Sequence, residues 1–316
     1  MDRATTSRRA FLAAATATAL AGCSESTGQS PTTDGSDTTT GGTTPTTTED
    51  TTTPAAGDVD IRRDVDFRET PQRTLALDLY LPAGEGPHPF FVFAHGGGWL
   101  TGDKTQRPMF PALVEDGIAV ADIQYRLAGE KQYPAAVRDT VAAVKWVRAE
   151  GDAYGIDGAR GALGGYSAGA HLAALVSVAP DVETFQPSDF HPDVSASVDA
   201  LVGYSGPYDF TEAGAGENQL VEAFFGADAA DETLAEGSPT THVDGDSPPA
   251  LLVHGTDDGV VPYRSTTVMA ERLRSADVSV EVITGEGAGH GMIDDPTWRE
   301  QTLPAQRSFL RDRLDP

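Results

Sequence analysis

The sequence holds a single cysteine, Cys23, so no disulfide can close within the chain. Lysine is almost as scarce, at Lys104, Lys131 and Lys145, and with 22 basic against 48 acidic residues the formal net charge is −26. There is no basic stripe to neutralise phosphates, which argues against nucleic acid as a partner. The seven histidines are dispersed, without Cys/His or His/carboxylate pairs at ligand intervals, so neither a metal nor another cofactor is expected. Internal repeats are absent too, and no apolar run reaches the roughly 20 residues that a membrane-spanning helix needs. The acids are scattered rather than clustered. A shell of that kind keeps a protein soluble in concentrated salt, where the Debye length shrinks to about 3 Å, and a halophilic source is the expectation.

What is present divides the chain in three. Ser7, Arg8, Arg9, Ala10, Phe11 and Leu12 read as a twin-arginine export signal. The apolar stretch Ala10–Ala21 that follows is too short to cross a bilayer, and it closes on Leu20, Ala21, Gly22 and Cys23, which resembles a lipobox. Cleavage there, acylation of Cys23 and anchorage to the outer face of the cytoplasmic membrane are the expected consequences. Residues 24–57 are a run of Thr, Ser, Gly, Pro, Asp and Glu that cannot bury enough surface to offset its ordering entropy; it reads as a tether whose composition permits O-glycosylation. Residues 58–316 remain as a single folded domain, and with 39% of the chain hydrophobic a globular core is expected there.

Within that domain, Thr74–Leu81 alternates apolar and polar residues with the period of a half-buried strand, and Val59–Phe67 is its expected antiparallel partner. Phe90–Ala94 is a continuous apolar run bounded by proline and glycines, as in a strand buried on both faces. Further strands are predicted at Ile118–Ile123, Gly161–Gly164, Val198–Val202, Ala250–His254 and Val278–Ile283, with helices at Pro108–Glu115, Ala135–Ala149, Ala170–Val178, Thr266–Ser275 and Trp298–Arg313. This alternation predicts an α/β fold: a mostly parallel eight-stranded sheet, wound by right-handed crossovers and covered by helices on both faces. Tyr208–Val243 breaks the rhythm with small and acidic residues and reads as a small lid over a cleft.

Gly165, Tyr166, Ser167, Ala168 and Gly169 fall where a strand gives way to a helix. A serine flanked by glycines at such a junction sits on a turn without room for a neighbouring Cβ, and its hydroxyl is forced out into a cleft, the position of a nucleophile. His290 lies in the glycine-rich segment Gly287–Gly291 after the last strand, a flexible loop from which an imidazole could swing against the serine; an unperturbed imidazole, titrating at about 6.5, suits a base at neutral pH. Asp257 and Asp258 compete to orient that base, and spacing alone leaves the choice open. The bare Gly96, Gly97 and Gly98 can bring N–H groups close to a substrate carbonyl. Gly96 and Gly97, together with the Ala168 N–H, are the expected oxyanion donors, with Gly98 shaping the turn.

The domain resembles the esterase/lipase group of the α/β-hydrolases, which includes acetyl esterases, hormone-sensitive-lipase relatives and feruloyl-esterase-like proteins, over nearly all of residues 70–313. The likeness is carried by His95–Trp99 with Gly102, Asp103 and Lys104, by Tyr125–Leu127, by Pro134–Ala136 with Asp139 and Trp146, by Ser167–Leu172, by Ser205–Pro207 with Asp209, and by Ser238 and Pro239. It implies a triad of Ser167, Asp258 and His290, in the order serine, acid, histidine. It selects Asp258 over Asp257 because the pattern His254, Gly255, two residues, Asp258, two residues, Val261, Pro262 places the acid there. Tyr166 stands where hormone-sensitive-lipase relatives usually carry an acid, which favours the feruloyl-esterase-like branch, and Ala170 replaces a common glycine. His171, Arg126 and Asp139 are expected to hold the scaffold. The implied activity is cofactor-free hydrolysis of short acyl or aryl esters, acetyl or feruloyl, on small molecules or decorated polysaccharide. An arylformamidase-like amide hydrolase and an inactive hydrolase-fold lipoprotein that only binds are the alternatives.

Overall fold

Phenyl rings set the spacing of the central strands. Phe90 and Phe91 project from opposite faces of β3 (His88–Ala94), and each ring lies over a glycine of the neighbouring β5 (Ile156–Tyr166). A Cβ on Gly161 would come within 2.0 Å of the Phe90 ring and one on Gly164 within 2.6 Å of Phe91, so two bare positions let both rings pack flat against the sheet. In a computed structural model, which describes residues 59–105, 107–188, 190–211 and 218–316, these strands form the middle of an eight-stranded sheet. The segments expected to be an export signal and a tether, with Cys23 between them, lie outside the described residues.

The remaining strands are β1 (Asp60–Glu69), β2 (Thr74–Leu81), β4 (Ala119–Ile123), β6 (Ala200–Tyr204), β7 (Ala250–Gly255) and β8 (Val280–Gly285), and the spatial order is β1-β2-β4-β3-β5-β6-β7-β8. Pairing is antiparallel for β1–β2 and β2–β4 and parallel from β4 to β8. This is the α/β-hydrolase fold. Helices α2 (Ala135–Glu150), α3 (Ala168–Val178) and α6 (Arg264–Ser275) contribute Val137, Leu172, Met269 and Leu273 to the core on one face. On the other face α1 (Phe110–Glu115) and α7 (Pro296–Leu314) bury Phe110, Leu113, Phe309 and Leu310. The crevice opens where it must in such a sheet, beyond the carboxyl ends of the strands around the point at which strand order reverses, here on either side of β3.

Two expectations change. β2 is buried along nearly its whole length rather than on one face, because Tyr80 turns in under Phe110 at 5.2 Å between ring centroids and Asp78 is paired with Lys104 at 2.9 Å. β5 begins at Ile156, well before Gly161: the segment Ile156–Arg160 carries no apolar run, and it becomes strand by pairing with His88. Tyr208–Val243, the stretch read as a lid, contains two short helices, α4 (Gln219–Phe225) and α5 (Asp231–Glu236). Residues 212–217 of that stretch lie outside the described residues.

Arg126 and Asp139 hold the scaffold as expected. Asp139 is fully buried and takes the guanidinium fork of Arg126 at 2.8 and 2.9 Å, the Arg126 N–H at 2.9 Å and Arg68 at 2.6 Å, which ties the chain leaving β4 to α2 and to β1.

Candidate active site

Both glycines beside Ser167 are required by close approach. A Cβ on Gly165 would sit 2.4 Å from the Gly169 carbonyl, and one on Gly169 would sit 2.1 Å from the Ala94 carbonyl oxygen at the end of β3. Between them Ser167 adopts φ 54° and ψ −118°, a region that side-chain-bearing residues avoid at a cost of about 1–3 kcal/mol. The strain is held by the backbone: the Ser167 N–H donates to the Tyr204 carbonyl of β6 at 2.8 Å, and the His171 N–H donates to the Ser167 carbonyl at 3.1 Å as α3 begins.

The three residues singled out in sequence meet. His290 Nε2 lies 2.9 Å from Ser167 Oγ and His290 Nδ1 lies 2.7 Å from Asp258 Oδ2. A carboxylate only accepts, so Nδ1 carries the proton and Nε2 is left to accept from the serine hydroxyl. The Asp258 side chain has no exposed surface. Burial opposes its charge, but the His290 N–H and the backbone N–H groups of Val261 and Val260, at 2.9 and 2.8 Å, outweigh it and hold the carboxyl below its ordinary value. Asp257 is exposed and, among the described residues, its side chain is partnered by the Thr256 hydroxyl alone, at 3.4 Å.

His290 does not swing on a flexible loop. The Gly285–His290 segment is stitched to the loop after β7 by hydrogen bonds from the Thr256 N–H to the Gly285 carbonyl, from the Asp257 N–H to the Ala288 carbonyl and from the Gly287 N–H to the Thr256 hydroxyl. Beyond it the chain closes into a 3-10 turn at His290–Ile293. Tyr166, noted in sequence only as a departure from relatives, contributes here as well. Its hydroxyl donates to the His290 carbonyl at 3.0 Å, and its ring is covered by Arg107, whose Nη1 donates to both carboxylate oxygens of Asp294, at 2.8 and 2.9 Å, just past the turn. Burial pushes the Tyr166 phenol up to about 12, so it stays a donor.

The glycine loop differs from expectation in detail. Gly96 is buried, and a Cβ there would meet the Tyr166 ring at 2.7 Å; Gly97 is exposed with φ 120°, and Gly98, not Gly96, lines the cleft beside Ser167 and Ala168. The chain turns at Gly102, where a Cβ would strike the His95 ring at 2.5 Å, so the loop folds back on itself. Trp99 then pins it: φ is 60°, the indole stacks on Phe224 of α4 at 4.6 Å, and its N–H donates to His171 Nδ1 at 3.2 Å. The cavity in front of Ser167 has a volume of about 350 Å³ and is walled by Trp99, Phe210, Leu220, Val221, Val260 and Val268. Leu220 and Val221 come from α4, so the expected lid region does form one wall.

Residues 77–273 match the BD-FAE family. The chain belongs to that family. It is 30% identical over 240 residues to Esterase LipC of Mycobacterium tuberculosis, a match covering 73% of this chain and 59% of that protein. It is also 30% identical over 243 residues to a probable isoprenylcysteine alpha-carbonyl methylesterase, ICMEL1, of Arabidopsis thaliana, covering 73% and 51%. The chain thus spans about half the length of the curated relatives it matches. Among solved structures it resembles the thermophilic esterase Est2 of Thermogutta terrifontis, with a TM-score of 0.69, 26% identity and coverage of 80% and 92% of the two chains.

Two buried imidazoles beside this family site make stability depend on pH. His171 has no exposed surface; it accepts from Trp99 at Nδ1, so Nε2 carries a proton and donates to the Gly237 carbonyl at 2.8 Å. His95 stacks on Tyr125 at 4.2 Å and donates from Nδ1 to the Gly96 carbonyl at 2.7 Å. Burial pushes each ring down to about 4, against about 6.5 in an open chain. Above pH 6.5 neither state binds the proton and the folded form keeps its full advantage. As pH falls towards 4 the unfolded chain takes up protons that the folded one refuses, and each ring loses on the order of 3 kcal/mol of stabilisation. The gap in urea unfolding free energy between wild type and His171→Phe is therefore expected to shrink across that window by about one such contribution. A gap that stays constant from pH 7 to pH 4 would sink the assignment.

Proposed function

We propose that this protein is a serine carboxylesterase that hydrolyses short acyl or aryl esters. The observation that carries the reading is the continuous chain of hydrogen bonds from Ser167 through His290 to Asp258, opening on an apolar cavity beside Gly98 and Ala168. His290 takes the proton of Ser167 as the hydroxyl attacks the ester carbonyl, and Asp258 stabilises the imidazolium that results. The oxyanion of the tetrahedral intermediate is met by the N–H of Ala168, at the first position of α3 where no intrahelical acceptor exists, and by the backbone at Gly98, which lines the cleft where Gly96 does not. His290 then returns its proton to the leaving alcohol, and water repeats the cycle on the acyl-enzyme.

The cavity sets the acyl reach. Its 350 Å³ lies at the small end of ligand pockets, and Trp99, Phe210 and Leu220 form apolar walls for an acyl chain, with Asp209 and Arg264 also in the lining. The Thermogutta terrifontis esterase has been solved with propionate and with butyrate bound, which supports the short-acyl reading of this cavity. The test is a substrate series of p-nitrophenyl acetate, butyrate and octanoate, methyl ferulate, and an aryl formamide. Acetate or butyrate is expected to give the highest kcat/KM, with octanoate at least tenfold lower because its chain outgrows the cavity. Faster octanoate turnover would remove the short-acyl claim, and formamide cleavage ahead of every ester would replace esterase by amide hydrolase.

A further inference from the structure

We propose that His254 is a positioning residue for Asp258: its Nε2–H shares the carboxylate oxygen that faces His290, and so sets how strongly that carboxylate draws a proton onto the His290 ring. The proposal rests on reading Ser167, Asp258 and His290 as the triad.

His254 lies in β7, four residues before Asp258, and its ring is wholly buried. Nε2 is 3.0 Å from Asp258 Oδ2 and 3.0 Å from the Val261 carbonyl oxygen. Both of those atoms only accept, so Nε2 carries the proton. Nδ1, 2.7 Å from Thr266 Oγ1 in the first turn of α6, is then the acceptor of the threonine hydroxyl. Tautomer and ring orientation are fixed from both ends. Burial lowers the pKa of the ring, so it remains a neutral dipole with its positive end on Asp258. The titratable groups around it are Asp258, His290 from the loop after β8, and the Tyr263 phenol, whose ring meets His254 edge-on at 5.7 Å and whose hydroxyl pairs with Thr284 at 2.6 Å.

Asp258 therefore receives four N–H groups: Val260 and Val261 on Oδ1, and two imidazoles on Oδ2, His290 at 2.7 Å and His254 at 3.0 Å. Every donor that stabilises the carboxylate lowers its attraction for the imidazolium that forms at His290. The backbone pair fixes the acid in place, whereas His254 acts on the same oxygen as the base and competes with it directly. A ring present only for packing would be satisfied by the Val261 carbonyl alone and would leave the proton affinity of His290 unchanged.

Substituting His254 separates these roles. His254→Met removes the donor at similar bulk, and His254→Gln keeps an amide N–H in its place. Histidine-labelled NMR in a Ser167→Ala background, without turnover, follows the protonation of His290, and the acid limb of kcat/KM follows the same event in the chain with Ser167 intact. With His254→Met both are expected to move to higher pH by about one unit, as for a carboxylate relieved of a competing donor, while His254→Gln keeps them at the wild-type position. The same spectra of the unsubstituted chain report the His254 tautomer, with Nε2 protonated and Nδ1 bare. Met and Gln variants that both titrate as wild type overturn the proposal, and so does a proton found on Nδ1; the tautomer alone decides if His254→Met does not fold. Wild-type protein that cleaves no ester or amide defeats the triad reading instead, and the titration of His290 still judges His254.

Discussion

Ser167→Ala is expected to lower kcat/KM toward p-nitrophenyl acetate by about 10⁶-fold, the loss typical when a triad serine is removed and only binding and oxyanion donors remain. The substitution keeps a Cβ on the same strained backbone, so the elbow, the cavity and the melting temperature stay where they are. Ser167→Gly loses the hydroxyl equally but also releases the φ 54° conformation, and it melts higher, by the equivalent of roughly 1–3 kcal/mol. Comparing the two separates chemistry from strain: equal activity loss with unequal stability means that the backbone conformation persists because the reaction needs the hydroxyl in that position. A Ser167→Ala protein retaining a tenth of wild-type activity, or still labelled by a fluorophosphonate, would place the nucleophile elsewhere and take the esterase reading with it.

The parallel strands and the meeting of Ser167 with His290 were legible because each depends on local features that a linear sequence carries, whereas Asp258 was separated from Asp257 only by family resemblance. Continuous apolar runs announce strands buried on both faces, and glycines flank the serine because two carbonyls approach to within 2.4 Å of where side chains would be. What escaped depends on contacts between distant segments. The alternation in Thr74–Leu81 reads as one-sided burial only until α1 covers the second face. The glycines of Gly96–Gly98 are alike in sequence, and only the Tyr166 ring lying over Gly96 shows which of them faces away from the cleft. The mobility expected of the His290 loop is cancelled by three hydrogen bonds to residues of the loop after β7, none of which leaves a compositional trace. His254 had a signal, its spacing of four residues from the acid, but spacing alone does not say that an imidazole points at a carboxylate rather than into the core.

The same network of donors makes Asp258→Asn more damaging than loss of one charge. The carboxylate satisfies Val260, Val261, His254 and His290 because both of its oxygens accept. An asparagine offers one accepting oxygen and one NH2 group that donates. Turned with its oxygen toward the imidazoles, it sets an NH2 against the two backbone N–H groups; turned the other way, it sets an NH2 against His290 Nδ1 and forces the proton to Nε2, where it can no longer accept from Ser167. Either orientation leaves buried donors facing each other. The expected result is a fall in kcat/KM of about 10⁴-fold, or roughly 5.5 kcal/mol of lost transition-state stabilisation. A lowered melting temperature is expected as well, because the conflict is present before substrate binds. Asp257→Asn is the control: that side chain is exposed and among the described residues is hydrogen-bonded to the Thr256 hydroxyl alone, so turnover is expected within twofold of wild type, about 0.4 kcal/mol. If Asp258→Asn stays within tenfold of wild type, or Asp257→Asn proves the more harmful, the hydrogen bond between Asp258 and His290 does not orient the base, and the four donors gathered on this carboxylate serve the fold alone.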